Sequence, residues 1–382
     1  MPAPAKPMRL IHLLVLRAAA IVYHPRSVTY TFLAALLFGL AVSSYFVFRG
    51  EHSDSDSGIT SNSAPARAVG SNLPHSAESR QHGLSRPAAQ LGSQATNFAA
   101  GVEHRRGDPP AAPPADRPKP SIEFGPSLAQ LIHDRGHITV TVHIALYDDG
   151  RKRHRAFGDG VTPVSNMYWG ARFGVETHMV KDAGWQRVYA DEGTGGTILS
   201  RIVLRKRIEP TAAWRARSVE APFDLYLLAL AWPQSNIVEA MNRPLQEALC
   251  GETTFIRVDG QDIAFGAESV LVGYLGQNRM LTQYWDPFTP LADCPPPARQ
   301  IGVFYIAPRS AVLLHRPAED YGLYSALFAR ESITPEAYVL SGMLAALESG
   351  EIDDAFLRES AKSYAKYQKS VTPQQAGILL IR

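Results

Sequence analysis

The chain holds 382 residues, with 38 basic against 36 acidic side chains, a net charge of +2 and 45% hydrophobic residues. That balance excludes a disordered polyampholyte, and it gives a phosphate backbone no clustered charge to bind, so no nucleic-acid partner is expected. Two cysteines are too few for a disulfide framework, and no C-x-x-C pair supplies a zinc site.

Residues 28–48, VTYTFLAALLFGLAVSSYFVF, run 21 positions without a charge. Such a stretch is long enough to cross a hydrocarbon core of about 30 Å as a helix. Tyr30, Tyr45, Phe46 and Phe48 sit where interfacial aromatics belong, and Arg26 and Arg49 bracket the span. The preceding segment, 1–27, carries Lys6, Arg9, Arg17 and Arg26 and no acid, whereas Glu51, Asp54 and Asp56 follow. The positive-inside rule then puts the N-terminus in the cytoplasm and the rest outside it, as for an uncleaved signal-anchor in the inner membrane. Residues 10–23 are apolar but interrupted by Arg17, and read as an interfacial helix. Residues 49–120 are rich in Ser, Pro, Ala and Gly with one aromatic, Phe98, and cannot bury enough apolar surface to offset chain entropy. They read as a disordered linker.

From residue 121 to 382, apolar strands alternate with amphipathic helices, the pattern of an α/β sheet. ITVTVHIAL (138–146), FDLYLLALAW (223–232), SVLVGYLG (269–276), IGVFYIA (301–307) and GLYSALF (322–328) read as strands. Helices are expected over 165–182 and 235–251, each opened by a Ser or Asn cap. Asp259-Gly260 between two alternating runs in 254–265 predicts a hairpin. Thr334-Pro335-Glu336 opens a further helix, with Leu340, Leu344 and Leu347 on one face and Gly350 as its stop; another is expected over 353–368.

Common cofactor and hydrolase signatures are absent, and GTGG at 193–196 lacks the lysine of a phosphate cradle, so no cofactor is expected. His143 reads as a core histidine bonded to backbone. His178 shares a helix with Glu176 but lacks a third ligand, so no metal is assigned. Asp148 and Asp149 with Gly150 read as a turn. The basic clusters RKRHR (151–155) and RIVLRKR (201–207) read as solvated surface, with anionic headgroups or an acidic partner as the alternative.

Several segments together resemble bacterial caspase-like proteins, the cysteine-peptidase fold shared with legumain. They are VHIALYD (142–148), NMYWGARFGV (166–175), LVGYLGQNRML (271–281), VFYIAPR (303–309), TPEAY (334–338) and YAKYQKS (364–370). The resemblance implies a three-layer sandwich with a mostly parallel central sheet, a His following one strand and a Cys nucleophile following the next. At the matching positions this chain has Gln277 and Ile306, and no His or Cys occurs from 270 to 293 or from 295 to 314. An amide is no general base near neutral pH and an Ile offers no nucleophile, so the resemblance implies a pseudoenzyme. Its emptied cleft would be lined by Gln277, Arg279 and Arg309 and hold a peptide or protein partner. A rebuilt Cys294–His315 dyad is the weaker option. Cys250 and Cys294, outside the cytoplasm, are either a disulfide or two unpaired thiols. The expected function is therefore binding or regulation at the cell envelope. The alternatives are an active hydrolase with another site, or an oligomerising structural component.

Overall fold

The structure is a computed structural model that describes residues 120–148, 157–193 and 196–382. The cytoplasmic segment, membrane span and linker expected within 1–119, the cluster 151–155 and Asp149 lie outside the described residues. Among the described residues no helix is long and apolar enough to cross a membrane.

The chain passes from helix α1 (Phe124–Arg135) into β1 (His137–Ala145), then α2 (Val175–Lys181), β2 (Gln186–Glu192) and β3 (Ser200–Ile208). A short α3 (Ala212–Arg215), β4 (Phe223–Trp232), α4 (Ile237–Cys250) and the hairpin β5 (Thr253–Val258) and β6 (Gln261–Gly266) follow. β7 (Leu271–Leu275), β8 (Gly302–Ile306), α5 (Ser310–Asp320) and β9 (Tyr324–Ala329) lead to α6 (Ala337–Ser349), α7 (Asp354–Tyr367), α8 (Pro373–Leu379) and β10 (Leu380–Ile381).

Eight strands form one sheet in the order β10-β9-β8-β7-β1-β4-β3-β2. Its centre, β4 through β9, is parallel, and β3, β2 and β10 add antiparallel edges. β1, β4, β7 and β8 are buried almost throughout, which is why they read as near-continuous apolar runs. One core lies under α1, α2, α6 and α7, with Phe124, Met179, Leu344 and Phe356 in it. The other lies under α4, α5 and the hairpin, with Met241, Leu245, Phe265 and Leu314. Helices thus cover both faces of the sheet, an arrangement compatible with a three-layer sandwich. The hairpin turns at Asp259-Gly260, both at positive φ, as the strand twist requires.

Two expectations need correction. Of the helix expected over 165–182, only Val175–Lys181 is α-helical. A Cβ on Gly170 would lie 2.3 Å from the Val164 carbonyl oxygen, and one on Gly174 would lie 2.2 Å from that of Trp169. The chain is folded back on itself in tight turns there, which apolar periodicity does not register. The helix after Thr334 begins at Ala337 with Glu336 as its N-cap, so Thr334 and Pro335 precede it.

Cys250, at the end of α4, is disulfide-bonded to Cys294 in the long connection from β7 to β8, with Cα atoms 4.9 Å apart and a sequence separation of 44. Closing a loop of that length restricts the unfolded chain and stabilises the fold by about 2–4 kcal/mol. Reductant is therefore expected to lower the unfolding free energy from urea titration by that amount, with a matching fall in midpoint, and a Cys250→Ala, Cys294→Ala variant to start from the lowered value and ignore reductant. An unchanged midpoint in both would remove the stabilising role.

Candidate functional site

The chain leaves β1 towards β4 on one side and returns from β4 across β1 to β7 on the other, so the connections diverge between the carboxyl ends of β1 and β7. Open α/β sheets place ligands in the crevice at such a switch point. Four strand exits meet here: Tyr147 after β1, Gln234 after β4, Gln277 after β7 and Pro308 after β8.

Gly276 carries the turn out of β7 at φ 153°, where an added Cβ would lie 2.6 Å from the Tyr274 hydroxyl. Tyr274 Oη donates to the Gln277 carbonyl at 2.8 Å, which fixes the backbone just past the strand. Gln234 Nε2 donates to Gln277 Oε1 at 2.9 Å, linking the exits of β4 and β7 across the end of β1. Gln234 Oε1 is enclosed without a partner. Asn278 Nδ2 donates to the Pro308 carbonyl at 2.8 Å, and its Oδ1 accepts from the Met280 N–H, tying the exits of β7 and β8 together. Asn166, fully buried, accepts from the N–H groups of Tyr147 and Tyr168 and donates to the Tyr147 carbonyl, clamping the loop that overhangs β1.

The resemblance singled out Gln277 and Ile306, and adjacent parallel strands bring those positions to one edge of the sheet, with Leu275 paired to Ile306. They differ in access. Gln277 is half-buried, whereas Ile306 is 1% exposed and packs into the core under α6. Arg279 and Arg309 are exposed at the same edge, Arg309 in the left-handed region at φ 54° with its N–H on the Glu331 carbonyl. Cys294 has no thiol to offer because it is bonded to Cys250, so the Cys294–His315 dyad is closed. His315 lies edge-on to Phe328, 3.6 Å from Glu319.

His143 is a core histidine, but its partners are side chains and not backbone. Trp232 Nε1 donates to its Nδ1 at 3.1 Å, and its Nε2 lies 3.1 Å from Glu247 Oε1. His178 sits among Phe173, Tyr338 and Tyr367 with Nδ1 3.0 Å from Asp182. Burial pushes the His178 pKa down against the pull of Asp182. No group of three or more His, Cys, Asp or Glu among the described residues is placed to hold a metal. The basic run 201–207 is neutralised within the fold: Arg201, Arg205, Lys206 and Arg207 face Asp191, Asp259, Glu348 and Asp224 at 2.7–3.5 Å. That leaves it little net charge for an anionic partner.

Sequence reasoning missed Gln234, Asn278 and Asn166. Gln234 lies two residues past the end of the FDLYLLALAW strand, after Pro233, so its position at a strand exit was the available signal. Asn166 gave none, because the Tyr147 backbone that it clamps is 19 residues away. No family model, curated protein or solved structure matches the chain.

Proposed function

We propose that this chain is a catalytically degenerate caspase-like domain that binds a peptide or protein segment in the carboxyl-edge crevice. In this reading it is anchored in the inner membrane by residues 28–48, with its N-terminus cytoplasmic and its domain periplasmic. The observation that carries the binding role is the Gln234–Gln277 amide pair. At the switch point it leaves one enclosed acceptor, Gln234 Oε1, without a donor. An unspent acceptor costs about 1–3 kcal/mol, and a peptide N–H entering the crevice would recover it. The caspase-like part is supported by two positions, Gln277 and Ile306, at the exits of neighbouring parallel strands where a base and a nucleophile would have to meet. The Cys250–Cys294 disulfide suits an oxidising compartment.

The test uses purified full-length protein in detergent against a peptide library, read for both binding and cleavage. Wild type is expected to bind without cutting, with Gln234→Met weakening the selected peptides about tenfold. Cutting by wild type sinks the degenerate reading, and unaltered binding by Gln234→Met sinks the assigned crevice.

A further inference from the structure

At the opposite edge of the sheet, α1 and the segments leading into β7 and β8 enclose a cavity of about 400 Å³. Gln130, Leu131 and Asp134 of α1 line it, together with Glu268, Arg299 and Ile301. Arg299 is the unusual member. Its Nη2 donates to the carbonyls of Ala267 and Ser269 at 2.8 and 2.9 Å, which fixes the guanidinium at the wall of the cavity. Its Nη1 is enclosed with no acceptor.

Arg299 is half-buried, and its enclosed Nη1 requires an acceptor or a counter-charge. Glu268, the carboxylate that acts on Arg299, is already committed to Arg135 at 2.6 Å. Asp134 is exposed. Burial pushes the Arg299 pKa down to about 10, so the group remains a cation at neutral pH. The cavity beside it has room for more than a single water.

We propose that this cavity binds a small oxyanion, a carboxylate or a phosphate, whose oxygens complete the Arg299 fork. Planar guanidinium groups take both chemistries through paired N–H donors. Leu131 and Ile301, both buried, give the ligand an apolar wall, and the Arg135–Glu268 pair forms one side. The site is independent of the carboxyl-edge crevice and holds whether or not that crevice binds peptide.

Full-length protein in a nonionic detergent is titrated with sodium phosphate and, separately, sodium succinate, against sodium chloride at matched ionic strength, by calorimetry and thermal melting. Saturable binding of at least one is expected, weakened about tenfold or more in Arg299→Gln. It is expected to tighten in Glu268→Gln, which frees Arg135 for the ligand. Binding of phosphate alone or succinate alone identifies the source of the oxyanion. Equal affinity in Arg299→Gln overturns the proposal. Absence of saturable heat in both wild type and Glu268→Gln does the same and leaves the enclosed nitrogen to water. If Arg299→Gln fails to fold, because Nη2 holds two carbonyls, the wild-type and Glu268→Gln titrations decide.

Discussion

Gly273→Val is expected to abolish the cooperative thermal transition of the chain, and Gly273→Ala to cost upwards of about 3 kcal/mol. Gly273 lies in β7, a central strand of the sheet, and pairs in register with Phe304 of β8. A Cβ placed on it would lie 2.4 Å from Phe304 Cδ2 and equally close to the Phe304 carbonyl oxygen. Phe304 is fully buried, so its ring occupies the slot that a side chain at 273 would need and has no vacant rotamer to take. Any side chain at 273 must push apart two paired strands. Phe304→Leu is expected to recover part of the Gly273→Ala loss and not all of it, because the carbonyl stays where it is. Circular dichroism melts and urea titrations of the four proteins check this. A Gly273→Ala variant within 1 kcal/mol of wild type would show that the two strands yield easily.

That clash also shows what the sequence conveyed and what it did not. SVLVGYLG announces a buried strand through its apolar run, and β1, β4, β7, β8 and β9 all lie within the expected runs to within a residue or two. Periodicity, however, carries no information on the partner strand, so neither the strand order nor the Gly273–Phe304 contact was legible. The antiparallel strand β3 is hidden because RIVLRKR sets only three apolar residues, Ile202 to Leu204, among four basic ones and reads as a basic cluster. Its charges are answered by acids from elements remote in sequence, such as Lys206 by Glu348. α1 and α5 passed unremarked, as did the capping box of Thr372 and Gln375 that opens α8. At the candidate site, Gln277 and Ile306 were located through resemblance, whereas Gln234 and Asn278 needed the fold. Hydrogen bonds between strand exits depend on which strands are neighbours. The disulfide was open for the same reason, since spacing along the chain does not bring α4 to the loop after β7.

A coupled pair of losses is expected at the buried contact His143–Glu247, which joins the central strand β1 to α4. Trp232 Nε1 can only donate, so His143 Nδ1 must be bare and the ring proton sits on Nε2, facing Glu247 Oε1 at 3.1 Å. Both side chains are 3% exposed or less. The cation beside it, Arg243, is 4.0 Å from Glu247 Oε1 and is engaged with Glu252. His143→Leu removes the N–H that faces the buried Glu247 carboxyl, at an expected cost of about 1–3 kcal/mol. Glu247→Met removes the carboxyl that the imidazole N–H faces and costs about 1–3 kcal/mol. The double variant replaces both partners by apolar groups of similar volume, and such replacements run from neutral to stabilising. It should therefore be more stable than either single variant, with a coupling energy of about 1–3 kcal/mol in a double-mutant cycle measured by urea denaturation. Trp232→Phe, which removes only the hydrogen bond that sets the tautomer, is expected to cost about 1 kcal/mol. Additive losses in the double variant would mean that the two side chains stabilise the core by separate packing, and that the contact between them contributes nothing.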